Sequence, residues 1–363
     1  MTLKDASLSL CRDLGISYMF GRTAWRRRRL LILCYHGISL ADEHEWNPAM
    51  YLSPDVFERR LRTIERLRCN VLPLGEALER LYRGDLPDRA VALTFDDGYF
   101  DFQERAYPRL AASGYPATVY LNTQRCEHNR PIVNLSLSYL LWKGRAVGLD
   151  GTDLPGLDSA RHDLRTPAQR LRVWEALRAG MEREELGLTQ KDGLVRTVAE
   201  RVGVGDGPER ARVLTLLRPA EVTRLSSQGV DFQLHTHRHR TPEDPARFLE
   251  EIVENRRRIE AMTGKPAVHF CYPSGVVRRG YFEVLEGAGV VSATTTQRGT
   301  ATASTYRLLL PRFVDSNEVG DANFEAWLTG VGSWLRDAAS VFRGRAPSAA
   351  DFAPARTPSR QPV

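Results

Sequence analysis

The chain offers no cysteine pattern to read. Its five cysteines, Cys11, Cys34, Cys69, Cys126 and Cys271, are odd in number and scattered, with no C-x-x-C pair. That excludes a disulfide framework and a cysteine zinc knuckle. Long apolar runs are also missing. The longest candidate, Leu30–Tyr35, is six residues, where a bilayer span needs roughly twenty. No charged segment, apolar core and small-residue cleavage site follow one another at the N-terminus, so no signal peptide is read there. The expected setting is reducing: cytoplasmic, or peripheral at the inner membrane surface. Lysine is nearly absent, leaving 47 of the 51 basic residues as arginine against 45 acids, a net +6. Arginine grips phosphate and carboxylate with two bonds at once, yet codon preference produces the same excess. Acids interrupt almost every arginine cluster, and no basic segment is interleaved with aromatics in a recognition motif, so no nucleic-acid partner is expected.

At 363 residues, 42% hydrophobic and 26% charged, the chain suits one α/β barrel of about 250 residues with additions. Residues 1–29 form a basic N-terminal segment closing on Trp25 and Arg26, Arg27, Arg28 and Arg29. Such a run is either a solvated flank before a strand or a contact for an anionic membrane surface or lipid-linked substrate. From residue 30 to 343 short apolar strands alternate with amphipathic helices, which predicts parallel βα units. Strands are expected at Leu30–Tyr35, Ala90–Phe95, Ala117–Leu121, Val230–Leu234, Val268–Cys271, Val290–Thr295 and Leu308–Leu310. Helices are expected after Ser53, near Leu74–Leu81, and over 103–112, 244–262 and 278–287. A segment from about 130 to 225, dense in arginine and glutamate, reads as a helical insertion. Residues 344–363 read as a disordered tail.

Chemistry gathers at strand ends. Thr94-Phe95-Asp96-Asp97-Gly98 places two carboxylates where a buried strand stops, the edge on which parallel folds display catalytic groups. Adjacent aspartates on extended backbone point apart, so one can bind a cation while the other stays free as a base. An ordinary strand-to-loop turn has the same letters. His235-Thr236-His237-Arg238-His239 follows another buried strand. His235 and His239 with one carboxylate form a common ligand set for zinc and related ions, while His237 is read as a packing or hydrogen-bonding residue. Tyr272-Pro273-Ser274-Gly275 makes a fixed turn that can aim backbone N–H groups at an oxyanion. Tyr35-His36-Gly37 ends the first strand, where a histidine can serve as an acid.

Together these four elements resemble the polysaccharide deacetylase family, the NodB-homology carbohydrate esterases of family four type. Thr94–Gly98 matches that family's first motif letter for letter, and His235-Thr-x-x-His239 its second. The resemblance covers about residues 30–125 and 228–315. It implies an α/β fold, a distorted (β/α)7-type barrel with the helical insertion. The implied activity is metal-dependent hydrolysis of N-acetyl or O-acetyl groups on a polysaccharide or oligosaccharide. It implies Asp96 as general base, and Asp97, His235 and His239 as ligands of a divalent metal, zinc before cobalt, nickel or manganese. Pro273–Gly275 falls where the family's third motif helps build an oxyanion hole. Two departures stand out. Cys271 occupies the usual arginine position and Ser274 the usual aromatic one, so the backbone contribution can survive but the arginine that would orient the base is missing. The final leucine-x-histidine motif is absent too, because no histidine follows His269. One branch of the family, active on exported glucosamine polymers, carries its acid in an upstream Tyr-His motif, which here is His36. Two other readings stay open: a deformylase or other C–N hydrolase on a lipid-linked sugar, and a non-catalytic glycan-binding homologue. The expected partner is a glycan, and the oligomeric state is left undetermined.

Overall fold

The computed structural model describes Leu8, Asp13, residues 15–128 and residues 132–342. The tail expected at 344–363 lies outside the described residues. Seven parallel strands close into a barrel: β1 (Leu31–Tyr35), β2 (Ala90–Phe95), β3 (Thr118–Leu121), β4 (Asp231–Leu234), β5 (His269–Cys271), β6 (Ser292–Arg298) and β7 (Leu310–Val314). Each pairs with its successor in the chain, and β7 returns to β1 through Leu33↔Phe313 and Cys34↔Val314. A two-residue strand, Asn70–Val71, adds to the start of β2.

The two-residue period of a strand explains the layering. On β1, Leu31, Leu33 and Tyr35 face outward and join the main apolar core with Phe57, Leu61 and Ile64. Ile32 faces inward with Ala90, Ala92, Tyr120, Cys271 and Leu310. Helix α1 (Pro54–Arg66) starts as its sequence predicts, with the Val56 N–H donating to Ser53 Oγ at 3.2 Å and proline at the first position. Helix α2 (Leu74–Arg83) stops at Gly84, φ +81°. Its Leu74, Ala77, Leu78 and Leu81 plug the inner cluster, sealing the end of the barrel where the strands begin.

Several boundaries differ from expectation. The 103–112 helix is a π turn (Phe102–Ala106) running into α3 (Tyr107–Ser113). The last strand runs through Pro311 instead of stopping before it. The β6–β7 register shifts between Thr294↔Leu310 and Arg298↔Arg312, so this irregular stretch accommodates a residue with no N–H to give. Within the inserted segment, α4 (Val133–Lys143), α5 (Pro167–Arg183) and α6 (Leu188–Arg201) enclose an apolar cluster of their own around Leu140, Leu177 and Val198. Helix α7 (Pro219–Ser227) sends Val222 and Leu225 into the main core instead, so the barrel's rhythm resumes earlier than 225. Helices α8 (Pro245–Thr263), α9 (Gly280–Gly287) and α10 (Asp321–Thr329) complete the wall.

The Arg26–Arg29 run is not one uniform basic patch. Arg26 is wholly buried, donating to the backbone carbonyls of Leu328 (3.0 Å), Arg29 (2.6 Å) and Ala90 (3.1 Å). It ties the N-terminal segment to α10 and the foot of β2, so it cannot reach a membrane or lipid. Arg29 lies over the Trp25 ring at 3.7 Å. Arg27 and Arg28 are exposed. No helix among the described residues is long and apolar enough to cross a membrane.

Candidate active site

The Asp96-Asp97 pair behaves as an extended chain that suddenly turns. Asp96 continues β2, its N–H donating to the Tyr35 carbonyl at 2.9 Å, and its side chain points into the barrel mouth. Asp97 takes φ +70° and Gly98 φ +79°, which swings the second carboxylate to the opposite side. A Cβ on Gly98 would lie 2.4 Å from Leu121 Cδ1, so the turn requires glycine for space as well as for dihedral angle.

Asp97 meets both expected histidines. Its Oδ1 lies 3.3 Å from His235 Nε2 and 3.1 Å from His239 Nε2, and the three donors lie within 4.8 Å of one another. The imidazoles are aimed by backbone and second partners. His235 Nδ1 is 2.9 Å from the Cys271 carbonyl; a carbonyl accepts only, so Nδ1 carries a proton and Nε2 is the nitrogen turned to Asp97. The His235 N–H donates to Asn255 Oδ1 at 2.8 Å, and Asn255 Nδ2 donates onward to the Leu121 carbonyl and Thr123 Oγ1. The loop that follows is strained. Thr236 and His239 adopt φ +61° and +53°, a region a β-branched residue rarely enters. His237 points away, 2.9 Å from Thr123 Oγ1, as a hydrogen-bonding residue outside the ligand group. Burial opposes charge on Asp97, but the flanking imidazoles outweigh it and hold the carboxyl well below the usual range.

Asp96 has a partner that the third motif's sequence conceals. Arg312, from β7, donates Nη1 to Oδ1 and Nη2 to Oδ2, both at 2.7 Å, a fork-to-fork pair buried on both sides. Arg312 is itself fixed by Nε donating to the Thr295 carbonyl (2.9 Å) and Nη1 to Thr94 Oγ1 (3.2 Å). The orienting arginine read as missing is therefore present, supplied two strands away from Cys271, whose Sγ lies 3.1 Å from Arg312 Nη2. Burial would raise the Asp96 pKa, but Arg312 more than offsets it and holds the carboxyl below the ordinary range. The sequence signal was a lone charge in the apolar run Leu308–Val314. Asn255, in mid-helix, has no comparable signal.

His36 sits at the rim, 21% exposed, with Nε2 3.9 Å from Asp96 Oδ2. Tyr272 does not face the mouth: it is buried in the main core, its hydroxyl donating to the Leu308 carbonyl at 3.1 Å. Its N–H is bound to the Thr294 carbonyl and that of Gly275 to Tyr272, while Pro273 has none. Ser274, at φ +54°, therefore carries the N–H on which an oxyanion role for this turn must rest.

Comparison with known proteins bears on this arrangement. A sequence model described as polysaccharide deacetylase matches residues 83–293, more than half of the chain. That span contains Asp96, Asp97, His235, His239 and Ser274, and leaves out His36 and Arg312. No curated protein matches the sequence. Among solved structures, the fold is similar to the Streptococcus pyogenes deacetylase PplD in complex with acetate, at 18% identity over 80% of this chain and 93% of that one, TM-score 0.53. It is similar to IcaB from Ammonifex degensii, at 15% identity over 83% and 97%, TM-score 0.52. It is also similar to BC0361, a polysaccharide deacetylase from Bacillus cereus, at 16% identity over 83% and 69%, TM-score 0.50. At such identities the likeness is one of fold, and it agrees with the closed seven-strand barrel.

Proposed function

The chain belongs to the polysaccharide deacetylase family, a family of hydrolases, and from that premise we propose that it removes N-acetyl groups from a polysaccharide with a divalent metal as cofactor. The observation that carries this reading is the division of labour at one barrel mouth: Asp97 faces two histidines, and Asp96 is forked to Arg312.

The donor set suits a metal. Asp97, His235 and His239 offer one carboxylate oxygen and two imidazole nitrogens, and the His235 tautomer is already fixed by the Cys271 carbonyl. A divalent ion held there, zinc by its preference for nitrogen and oxygen donors, would polarise the acetyl carbonyl and acidify a water. The chain's own groups then move the protons. Asp96, kept ionised by Arg312, retains lone pairs beyond the two used by the guanidinium and takes a proton from the attacking water. The Ser274 N–H steadies the charge that develops on the acetyl oxygen. His36, across from Asp96, delivers a proton to the departing amine. The products are acetate and a glucosamine-type amine.

Elemental analysis of the purified protein, followed by acetate release from N-acetylated oligosaccharides on the same sample, tests the reading. Acetate release with about one metal per chain supports it. Formate from N-formyl sugars, without acetate, would move the assignment to a deformylase. Glycan binding without either product would make the chain a non-catalytic homologue.

A further inference from the structure

Asp96 Oδ2 is the meeting point of a second, softer donor set. Cys34 Sγ, from β1, lies 3.5 Å from it and His36 Nε2 3.9 Å. These three donors lie within 4.8 Å of one another. A tetrahedral ion bound at about 2.3 Å to sulfur and about 2.0 Å to nitrogen and oxygen spreads its ligands roughly 3.3–3.6 Å apart, close to what β1 and β2 already hold. The His36 ring is free to make the small adjustment needed, since its Nδ1 has no hydrogen-bond partner among the described residues.

We propose that Cys34, His36 and Asp96 form a second metal site, selective for thiophilic divalent cations such as cadmium or excess zinc, whose occupation inhibits the enzyme. Three features set its rank and chemistry. Arg312 already neutralises Asp96, whereas no guanidinium bonds to Asp97 among the described residues. A first cation therefore goes to Asp97, His235 and His239, and the second site fills only at higher metal concentration. The thiol selects soft ions over magnesium or calcium, and its proton leaves to solvent as the metal–sulfur bond forms. Cys271 also lies 3.5 Å from Asp96 Oδ2, but its sulfur already accepts from Arg312 Nη2 at 3.1 Å, whereas Cys34 Sγ takes no hydrogen bond from the guanidinium among the described residues and approaches Oδ2 from the His36 side.

Inhibition follows because the ion occupies the Asp96 lone pair and the His36 nitrogen together. That part rests on the proposed deacetylase reading; the binding itself does not. The test uses protein carrying one equivalent of zinc, titrated with cadmium. Calorimetry, the ultraviolet cadmium–thiolate charge-transfer band and acetate release are followed in parallel. The wild type takes up a second equivalent, develops the band, and loses acetate release by about tenfold or more. Cys34→Ala shows neither second equivalent nor band, and its own activity holds through the titration. His36→Ala, altered at the rim and not in the core, also loses the second equivalent, which guards against misfolding of the cysteine variant. Absence of a second equivalent in the wild type, or a band that persists in Cys34→Ala, overturns the proposal. If no glycan yields acetate but band and second equivalent still depend on Cys34, the site stands and the deacetylase reading falls.

Discussion

Replacing Arg312 with methionine removes the guanidinium from the Asp96 fork while keeping most of the side-chain volume. The structure fixes what is lost. Two 2.7 Å charged hydrogen bonds disappear, and the carboxylate remains 3% exposed with no guanidinium bonded to it. Breaking a buried pair from one side costs about 3–5 kcal/mol, a large share of the roughly 5–15 kcal/mol that holds a domain together. The pH dependence changes sign as well as size. In the wild type Asp96 is held below its unfolded value, so its contribution is present above the ordinary carboxylate range and is lost as pH falls through the depressed pKa. In Arg312→Met burial is opposed only by the weaker influence of the His36 and His235 imidazoles, so the pKa rises and stability should recover as pH is lowered from neutral. Urea denaturation at several pH values measures both effects. The acid limb of kcat/KM should shift to higher pH in the same variant, because the base is protonated sooner. Arg312→Lys, which keeps the charge and loses the fork, should fall between. A denaturation midpoint equal to wild type at neutral pH, with an unmoved acid limb, would refute the reasoning.

Asp96→Asn and His36→Ala should each lower kcat by about 10²–10⁴-fold with metal content unchanged by elemental analysis, whereas His235→Ala should lose the metal. Gly98→Ala forces a Cβ against Leu121 at positive φ and should cost about 1–3 kcal/mol, read from the urea midpoint. Arg26→Met strands three backbone carbonyls and should destabilise by about 1–3 kcal/mol for each one left unpaired; Arg28→Ala, on the surface, should stay within about 0.5 kcal/mol, and thermal melts of the pair would separate the two roles.

The parts of the site that can be read in sequence are those made by neighbours in the chain. Thr94–Gly98 and His235–His239 are each a strand end plus a turn, so composition and spacing carry both the geometry and the chemistry. The buried strands announced themselves as short apolar runs for the same reason. What stayed hidden depends on barrel closure. Arg312 is 216 residues from Asp96, and its own neighbourhood looks like a strand spoiled by proline. Asn255 supports His235 from mid-helix, where an asparagine carries no local signature. Arg26 read as part of a basic surface run because nothing in four consecutive arginines marks which one turns inward. Tyr272 erred in the other direction: it stands in a motif, yet its hydroxyl belongs to the core.

The seam between β7 and β1 gives the barrel an order of completion. Asp96 leaves the ribosome long before Arg312, and a chain finished only through β6 would enclose a carboxylate with no guanidinium beside it. Shutting the seam and pairing Asp96 with its arginine are thus a single event. A truncated chain lacking β7 should stay open at the seam, leave Asp96 without its guanidinium and lose the acetate release proposed for the full chain.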